Sequence, residues 1–321
     1  RLIVTYKVQI YHIIFHSFLH ITKNSDKIFL VVYMKIKKHK VAFTLICIFL
    51  AIILFIIGNI IYSNYCLTYS NYTVETNKIK GSVKMVVISD TEGSFVGKDN
   101  KRLIKKIDNA SPEIVCIVGD MVEKGSDNYD SAISICKDLA KKYPTYYALG
   151  NHEVGLKDKL KSFEKKISET GITLLDNKMV DYKTKSGDKL TIAGIKDYPF
   201  FEYYAPDYNN DENKLFQSYL KQEDNSHFSI LLCHKPECYT WSFKDYNIDL
   251  MISGHTHGGI IRIPFVGGVY APEQGYFPKY TKGYFKEKNV NLIITSGLNT
   301  SRGIPRFFNP LDVTVVTIKG K

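Results

Sequence analysis

Residues 85–94 read MVVISDTEGS, four apolar positions followed at once by hydroxyl, carboxylate and glycine. Apolar residues on successive rather than alternate positions describe a strand buried on both faces, and its last polar residue then stands at the edge of a sheet. Asp90 and Glu92 are either two metal ligands or the start of a polar loop. The same pattern recurs in EIVCIVGD (113–120), TYYALGNHE (145–153), FSILLCHKP (228–236), DLMISGHTHGG (249–259) and NLIITSGLNTS (291–301). Helix-like segments lie among these runs: KRLIKKIDNA (101–110), YDSAISICKDLAKKY (129–143), KDKLKSFEKKISE (157–169) and NKLFQSYLKQE (213–223). DYKTKSGDKLTIAGI (181–195) has the alternation of a hairpin, with a Ser-Gly-Asp turn. The pattern predicts an α/β domain with helices packed outside a β core.

Upstream, Val41 to Tyr62 is a run of 22 residues without a charge, preceded by KIKKHK. A membrane-spanning helix needs ~20 apolar residues, and basic residues keep the adjoining end in the cytoplasm. The competing reading is a cleaved signal peptide, but SNYCLTYSNY follows in place of a small-residue cleavage site. The expectation is a single-pass cell-membrane protein with residues 34–62 as basic flank and anchor, 63–82 as linker, and an extracytoplasmic domain over 83–321. The first Met is Met34, so residues 1–33 are expected to be an over-extended reading frame or a disordered stretch; a second membrane segment is the rival.

The charge of +11 is concentrated at the amino-terminal end: residues 1–40 hold eight Lys or Arg and one acid, leaving 35 basic against 31 acidic residues after residue 62. That balance speaks for membrane topology and against nucleic acid as a partner. The six cysteines have no zinc-ribbon spacing, and Cys116 and Cys233 read as small buried hydrophobes.

The polar residues at the strand ends are Asp90, Glu92, Asp120, Asn151, His152, His234, His255 and His257, oxygen and nitrogen donors in number sufficient for two divalent ions if one carboxylate bridges. Taken singly, each is as well explained by a turn, a cap or a structural histidine. The order DTE, GDMVE, GNHE, CHKPE and GHTHGG resembles the calcineurin-like metallophosphoesterases, including a tail, TSGLNTSRGIPRFFNPLDVTVVTI, that looks like the closing strands of their bacterial membrane-associated branch. The resemblance implies a four-layer αββα sandwich of two mixed β-sheets, here preceded by the transmembrane helix. It implies two divalent ions, the first held by Asp90, residue 92, Asp120 and His257, the second by Asp120, Asn151, His234 and His255. His152 would protonate the leaving oxygen or steady the phosphoryl group.

The family has His where this chain has Glu92. Three carboxylates favour manganese or iron over zinc, with magnesium also compatible. Glu92 is then a ligand that retunes metal choice, a displaced side chain beside a single-metal site, or the mark of a binding protein that has lost catalysis. The predicted activity is hydrolysis of a phosphodiester, phosphomonoester or pyrophosphate, in a small-molecule or lipid-linked substrate. Asp197 and Arg302 are candidate substrate contacts, Arg306 a further phosphate binder, and the aromatic segment 197–208 a loop near the catalytic edge. The glycines of GHTHGG are expected to let the backbone approach the ions.

Overall fold

The computed structural model describes residues 2–196, 226–240, 247–288, 290–299 and 303–321. It forms two compact units, Arg1–Gly58 and Asn59–Lys321. The first belongs to helix α1 (Leu2–Tyr65), within which Tyr33–Tyr65 is long and apolar enough to cross a membrane. Residues 2–33, expected to be over-extended or disordered, are helical: the sequence has neither Gly nor Pro before Gly58 to interrupt a helix.

The second unit opens with β1 (Leu67–Thr76), which falls inside the segment read as a linker. This expectation is corrected by pairing: β1 lies parallel to β16 (Leu311–Gly320), Leu67 opposite Leu311, so its polar, tyrosine-rich sequence serves as an edge strand. The first sheet continues with β2 (Ser82–Ile88), β3 (Ile114–Val118), β4 (Thr145–Ala148) and β5 (Thr173–Leu174) in the order β1-β16-β2-β3-β4-β5. The hairpin of β6 (Lys178–Lys183) and β7 (Lys189–Ile195) starts the second sheet, which adds β8 (Phe228–Cys233) and β9 (Leu250–Ser253). Two small ribbons follow, β10 (Arg262–Ile263) with β11 (Gly267–Gly268) and β12 (Tyr270–Ala271) with β13 (Gly275–Tyr276). Then β14 (Gly283–Glu287) and β15 (Val290–Ile294) complete the order β14-β15-β9-β8-β7-β6. Both sheets are mixed, with parallel centres.

The continuous apolar runs of the sequence serve two faces at once. Val83, Met85 and Val87 of β2 pack between the sheets with Ile230 and Leu232 of β8 and Leu250 and Ile252 of β9, while Val86 and Ile88 point to the helices. Those helices are α2 (Lys101–Ala110), α3 (Asp130–Ala140) and α5 (Leu160–Ser168), with the one-turn α4 (Asn151–Val154) after β4. Leu103 and Ile107, Ile135 and Leu139, and Phe163 and Ile167 repeat at four-residue spacing and bury against that face. Each such side chain contributes ~1.5–3 kcal/mol by leaving water. Leu231, Cys233, Met251 and Leu292 face the other way and form a third cluster on the outer side of the second sheet. Residues 213–223, read as a helix, lie outside the described residues. None of the six cysteines forms a disulfide among the described residues.

Candidate metal centre

The parallel strands bring six polar loops to one edge: Ser89–Glu92 after β2, Gly119–Asp120 after β3, Leu149–His152 after β4, His234 after β8, Gly254–His257 after β9 and Thr295–Asn299 after β15. Carboxyl ends of parallel strands are where α/β sheets bind ligands. The turns are tight enough that Asp90, Glu92, Asp120, His255 and His257 all adopt positive φ, between 45° and 67°. A non-glycine residue there costs on the order of 1–3 kcal/mol, a strain that accumulates where function needs it.

Two groups form within the cluster. In one, His257 Nε2 lies 3.3 Å from Glu92 Oε1 and 3.8 Å from Asp90 Oδ1. In the other, His234 Nε2 is 3.0 Å from Asp120 Oδ2, and the ring of His255 stacks edge-on to that of His234 at 5.2 Å. Donor atoms of Asp120, His234 and His255 lie within 4.8 Å of one another. The groups meet through Asp90, whose Oδ1 is 3.9 Å from His234 Nε2 and accepts the His255 backbone N–H at 3.1 Å. His152 stands between them, Nε2 3.9 Å from both Glu92 Oε1 and Asp120 Oδ2.

The histidines are oriented from behind. Nδ1 of His234 bonds Val118 O at 2.6 Å, Nδ1 of His152 bonds Val122 O at 3.2 Å, and Nδ1 of His257 bonds Asn299 O at 3.3 Å. A carbonyl accepts only, so each Nδ1 carries a proton and each Nε2 is turned toward the carboxylates, as a donor when the ring is doubly protonated and as a lone pair when it is neutral. Two lone pairs facing across 3 Å repel unless a cation lies between them. His255 Nε2 and Asn151 Oδ1 are buried and have no hydrogen-bond partner among the described residues. Buried polar atoms normally have partners, so the donor set fits divalent cations.

Charge follows the same division. Burial pushes the Asp120 carboxyl up, but His234 beside it outweighs this and holds it below the usual carboxylate range. Burial keeps His255 well below the ordinary imidazole value. Burial lifts Asp90 above the carboxylate range, and His257 sits above its ordinary value because the bond to Glu92 outweighs the cost of burial.

The supporting roles of three residues escaped the sequence reading. Glu153, buried, accepts the backbone N–H groups of Asp120 and Gly150 at 2.8 Å and of Met121 at 2.7 Å, together with the Tyr147 hydroxyl at 2.7 Å. Its signal was the Glu of GNHE, three residues into a helix start, the position that reaches back to cap. Asn299 donates through its amide to Ser94 Oγ at 3.1 Å and Glu92 Oε2 at 3.4 Å. Arg306, read as a phosphate binder, is instead fully buried: its Nε donates to Asn299 O at 2.8 Å and its Nη2 to the carbonyls of Ser296 and Asn299. It stiffens the loop behind His257.

Glycines supply room. A Cβ on Gly150 would stand 2.3 Å from Asp120 Oδ1, so only glycine lets α4 begin against that carboxylate. Gly258, at φ 65°, gives its space to Asn309 and Ser296, whereas a Cβ on Gly254 would stand 2.7 Å from Asp90 Oδ2, so within GHTHGG it is Gly254 that brings the backbone close to an expected ligand. Above the cluster lies a cleft of about 550 Å³ walled by Glu92, Asp120, Asn151, His152, His255 and His257. All eight expected ligand and acid residues therefore gather at one sheet edge, whereas Asp197, Arg302 and the aromatic segment 197–208 lie outside the described residues.

Residues 83–259 match the model of the calcineurin-like phosphoesterase family. The chain belongs to this family. A relative named "Uncharacterized metallophosphoesterase" from Aquifex aeolicus is 30% identical over 275 residues, covering 80% of this chain and 94% of its own. "Uncharacterized metallophosphoesterase YkuE" of Bacillus subtilis is 28% identical over 240 residues, 74% of this chain and 79% of that one. A "Transmembrane protein with metallophosphoesterase domain" of Danio rerio is 26% identical over 202 residues, 59% of this chain and 45% of the relative. This calcineurin-like phosphoesterase is thus a metal-dependent hydrolase of phosphoesters, and divalent cations are its cofactors.

Proposed function

We propose that the phosphoesterase works with two divalent ions, one held by Asp90, Glu92, Asp120 and His257, the other by Asp120, Asn151, His234 and His255. The observation that carries this reading is the pair of buried donor atoms, His255 Nε2 and Asn151 Oδ1, that have no partner among the described residues and belong to side chains walling the same cleft as Asp120. Such ions, when bound, supply positive charge against the phosphoryl oxygens and lower the pKa of water in the site. The protein's share is positional: Val118, Val122 and Asn299 carbonyls aim the imidazoles, and Glu153 fixes the turn that carries Asp120. His152 lines the cleft, its Nε2 3.9 Å from both Glu92 and Asp120, and is not needed as a ligand, so the doubly protonated ring can hand its Nε2 proton to the leaving oxygen or steady a phosphoryl oxygen. Glu92, drawn to 3.3 Å from His257, supports its reading as a ligand, and the three carboxylates favour manganese or iron over zinc, with magnesium compatible.

The bond cleaved is a phosphodiester, phosphomonoester or pyrophosphate, in a small or lipid-linked substrate. Val41–Tyr62 anchors the chain in the cell membrane as a single span, with the basic cluster before it on the cytoplasmic side and the hydrolase domain outside. The test uses the full chain in detergent, stripped and reloaded in turn with manganese, iron, magnesium or zinc. Roughly two ions per chain are expected, with aryl phosphodiester, phosphomonoester and pyrophosphate compared as substrates and activity lost in Asp120→Asn. No turnover with any metal would overturn the reading.

A further inference from the structure

The ribbons between β9 and β14 leave large apolar side chains exposed. Phe265 and Val266 stand exposed at the turn joining β10 to β11, Tyr276 and Phe277 stand exposed on and after β13, and Ile263 and Phe308 are partly exposed as well. The Phe277 N–H donates to Val269 O at 2.9 Å, which ties the second ribbon to the end of the first, and large apolar side chains exposed on such linked ribbons mark an interaction surface. Phe308 and the β10–β11 turn line one shallow groove of about 420 Å³. They are also tied through the backbone: Ile261 bridges Phe307, and the Arg262 N–H donates to Phe307 O at 2.9 Å.

What covers this surface follows from where it is attached. The Phe308 N–H donates to Asn59 Oδ1 at 2.7 Å, and the Asn309 N–H to Ser63 Oγ at 3.3 Å. Asn64 exchanges two bonds with the backbone of Arg306, both at 3.0 Å. The last turns of α1 are therefore stitched to residues 306–309. The span Val41 to Tyr62 is 22 residues of helix, and at 1.5 Å per residue it measures ~33 Å against the ~30 Å of a bilayer's hydrocarbon, so its last turn, Asn59 to Tyr62, lies at the far boundary. Counted from Lys40, Asn59 emerges where acyl chains give way to headgroups. Phe308 is bonded at that level, and the β10–β11 turn adjoins it.

We propose that Phe265, Val266 and Phe308, flanked by Tyr276 and Phe277, insert into the leaflet at the carboxyl end of α1 and seat the domain on the bilayer. The occupant is lipid, and the exposed aromatics are of the kind that favours the interface between chains and headgroups. Pro272 and Glu273, between β12 and β13, border the metal-centre cleft, so the same ribbon joins the lipid-facing surface to the site. The inference rests on α1 being a membrane anchor.

The test uses the full chain in nanodiscs loaded at one chain per disc. Trp241, the single tryptophan, is replaced by Phe, and one reporter is introduced at a time: Phe265→Trp, Phe277→Trp, or Ile52→Trp within α1. Emission is compared in ordinary lipid and in lipid brominated on the acyl chains. The expected result is loss of intensity in brominated lipid for all three reporters. If Ile52→Trp is quenched and both ribbon reporters are not, the docking surface is refuted while the anchor stands. If no reporter is quenched, the anchor reading itself has failed and the proposal with it. Unquenched ribbon reporters whose emission shifts to the blue only in discs holding two chains would assign the surface to a second copy and refute lipid as its occupant.

Discussion

The two halves of the metal centre are built to different degrees of completion. Around Glu92 and His257 the protein satisfies itself: the two side chains lie 3.3 Å apart, Asn299 holds both, and Arg306 holds Asn299. Around Asp120 the protein goes only part of the way: His234 Nε2 lies 3.0 Å from Asp120 Oδ2, but His255 Nε2 and Asn151 Oδ1 are left buried without partners among the described residues. A site whose donors already bond each other must break those contacts to take up an ion, whereas a site with orphaned donors gains by it. The comparison teaches that the two proposed ions should differ in affinity, the one at His234 and His255 bound first and held harder.

The bluntest way to break this comparison is Asp120→Asn, which removes the carboxylate shared by both halves. Activity should fall roughly 100- to 1,000-fold, the scale of losing one charged stabiliser, and metal analysis should find both ions depleted. A smaller effect is expected of Glu153→Gln, which removes no metal donor yet leaves the Asp120 turn without a full carboxylate to bind it. Affinity for the tighter ion should drop about 10- to 100-fold by calorimetry, and the Tm should fall by several degrees, corresponding to ~1–3 kcal/mol of lost hydrogen bonding. Unchanged affinity would mean that Asp120 holds its place without Glu153.

Glu92→His acts on the weaker half alone. Replacing an anionic donor by imidazole should move preference toward zinc in competition dialysis while the tighter ion keeps its affinity; an equal change at both ions would erase the distinction drawn above. The mildest probe is pH. A ligand must shed its proton before it binds metal, and competition persists up to its metal-free pKa. Asp90 and His257 are held above their ordinary values, Asp120 and His255 below theirs. On lowering pH from about 8 to about 5, the Glu92–His257 half should therefore release its ion first. Metal content read by dialysis at each pH would record two steps, and release in the opposite order would contradict the assignment.

The clustering of the proposed ligands at one sheet edge was legible because each follows an apolar strand whose burial on both faces marks where it ends. What the sequence concealed were residues that act from behind. Arg306 and Asn299 work through backbone carbonyls, and a carbonyl has no letter of its own in a sequence. β1 was missed for a different reason: LTYSNYTVET has no clean alternation, and its partner at Leu311 is more than two hundred positions away. Local pattern carries no trace of such a pairing. The backbone strain at Asp90, Glu92, Asp120, His255 and His257 was equally silent, since nothing in those residue types requires positive φ.

β16 enters the first sheet between β1 and β2, so the two earliest strands of the domain are joined by the latest. At ~5–20 residues per second, β2 leaves the ribosome roughly ten to fifty seconds before its outer neighbour is made. Through that interval one edge of β2 is an open template for whatever strand it meets. The hydrolase is thus a protein whose first half must wait, and whose maturation depends on keeping a nascent edge unoccupied until the closing strand arrives.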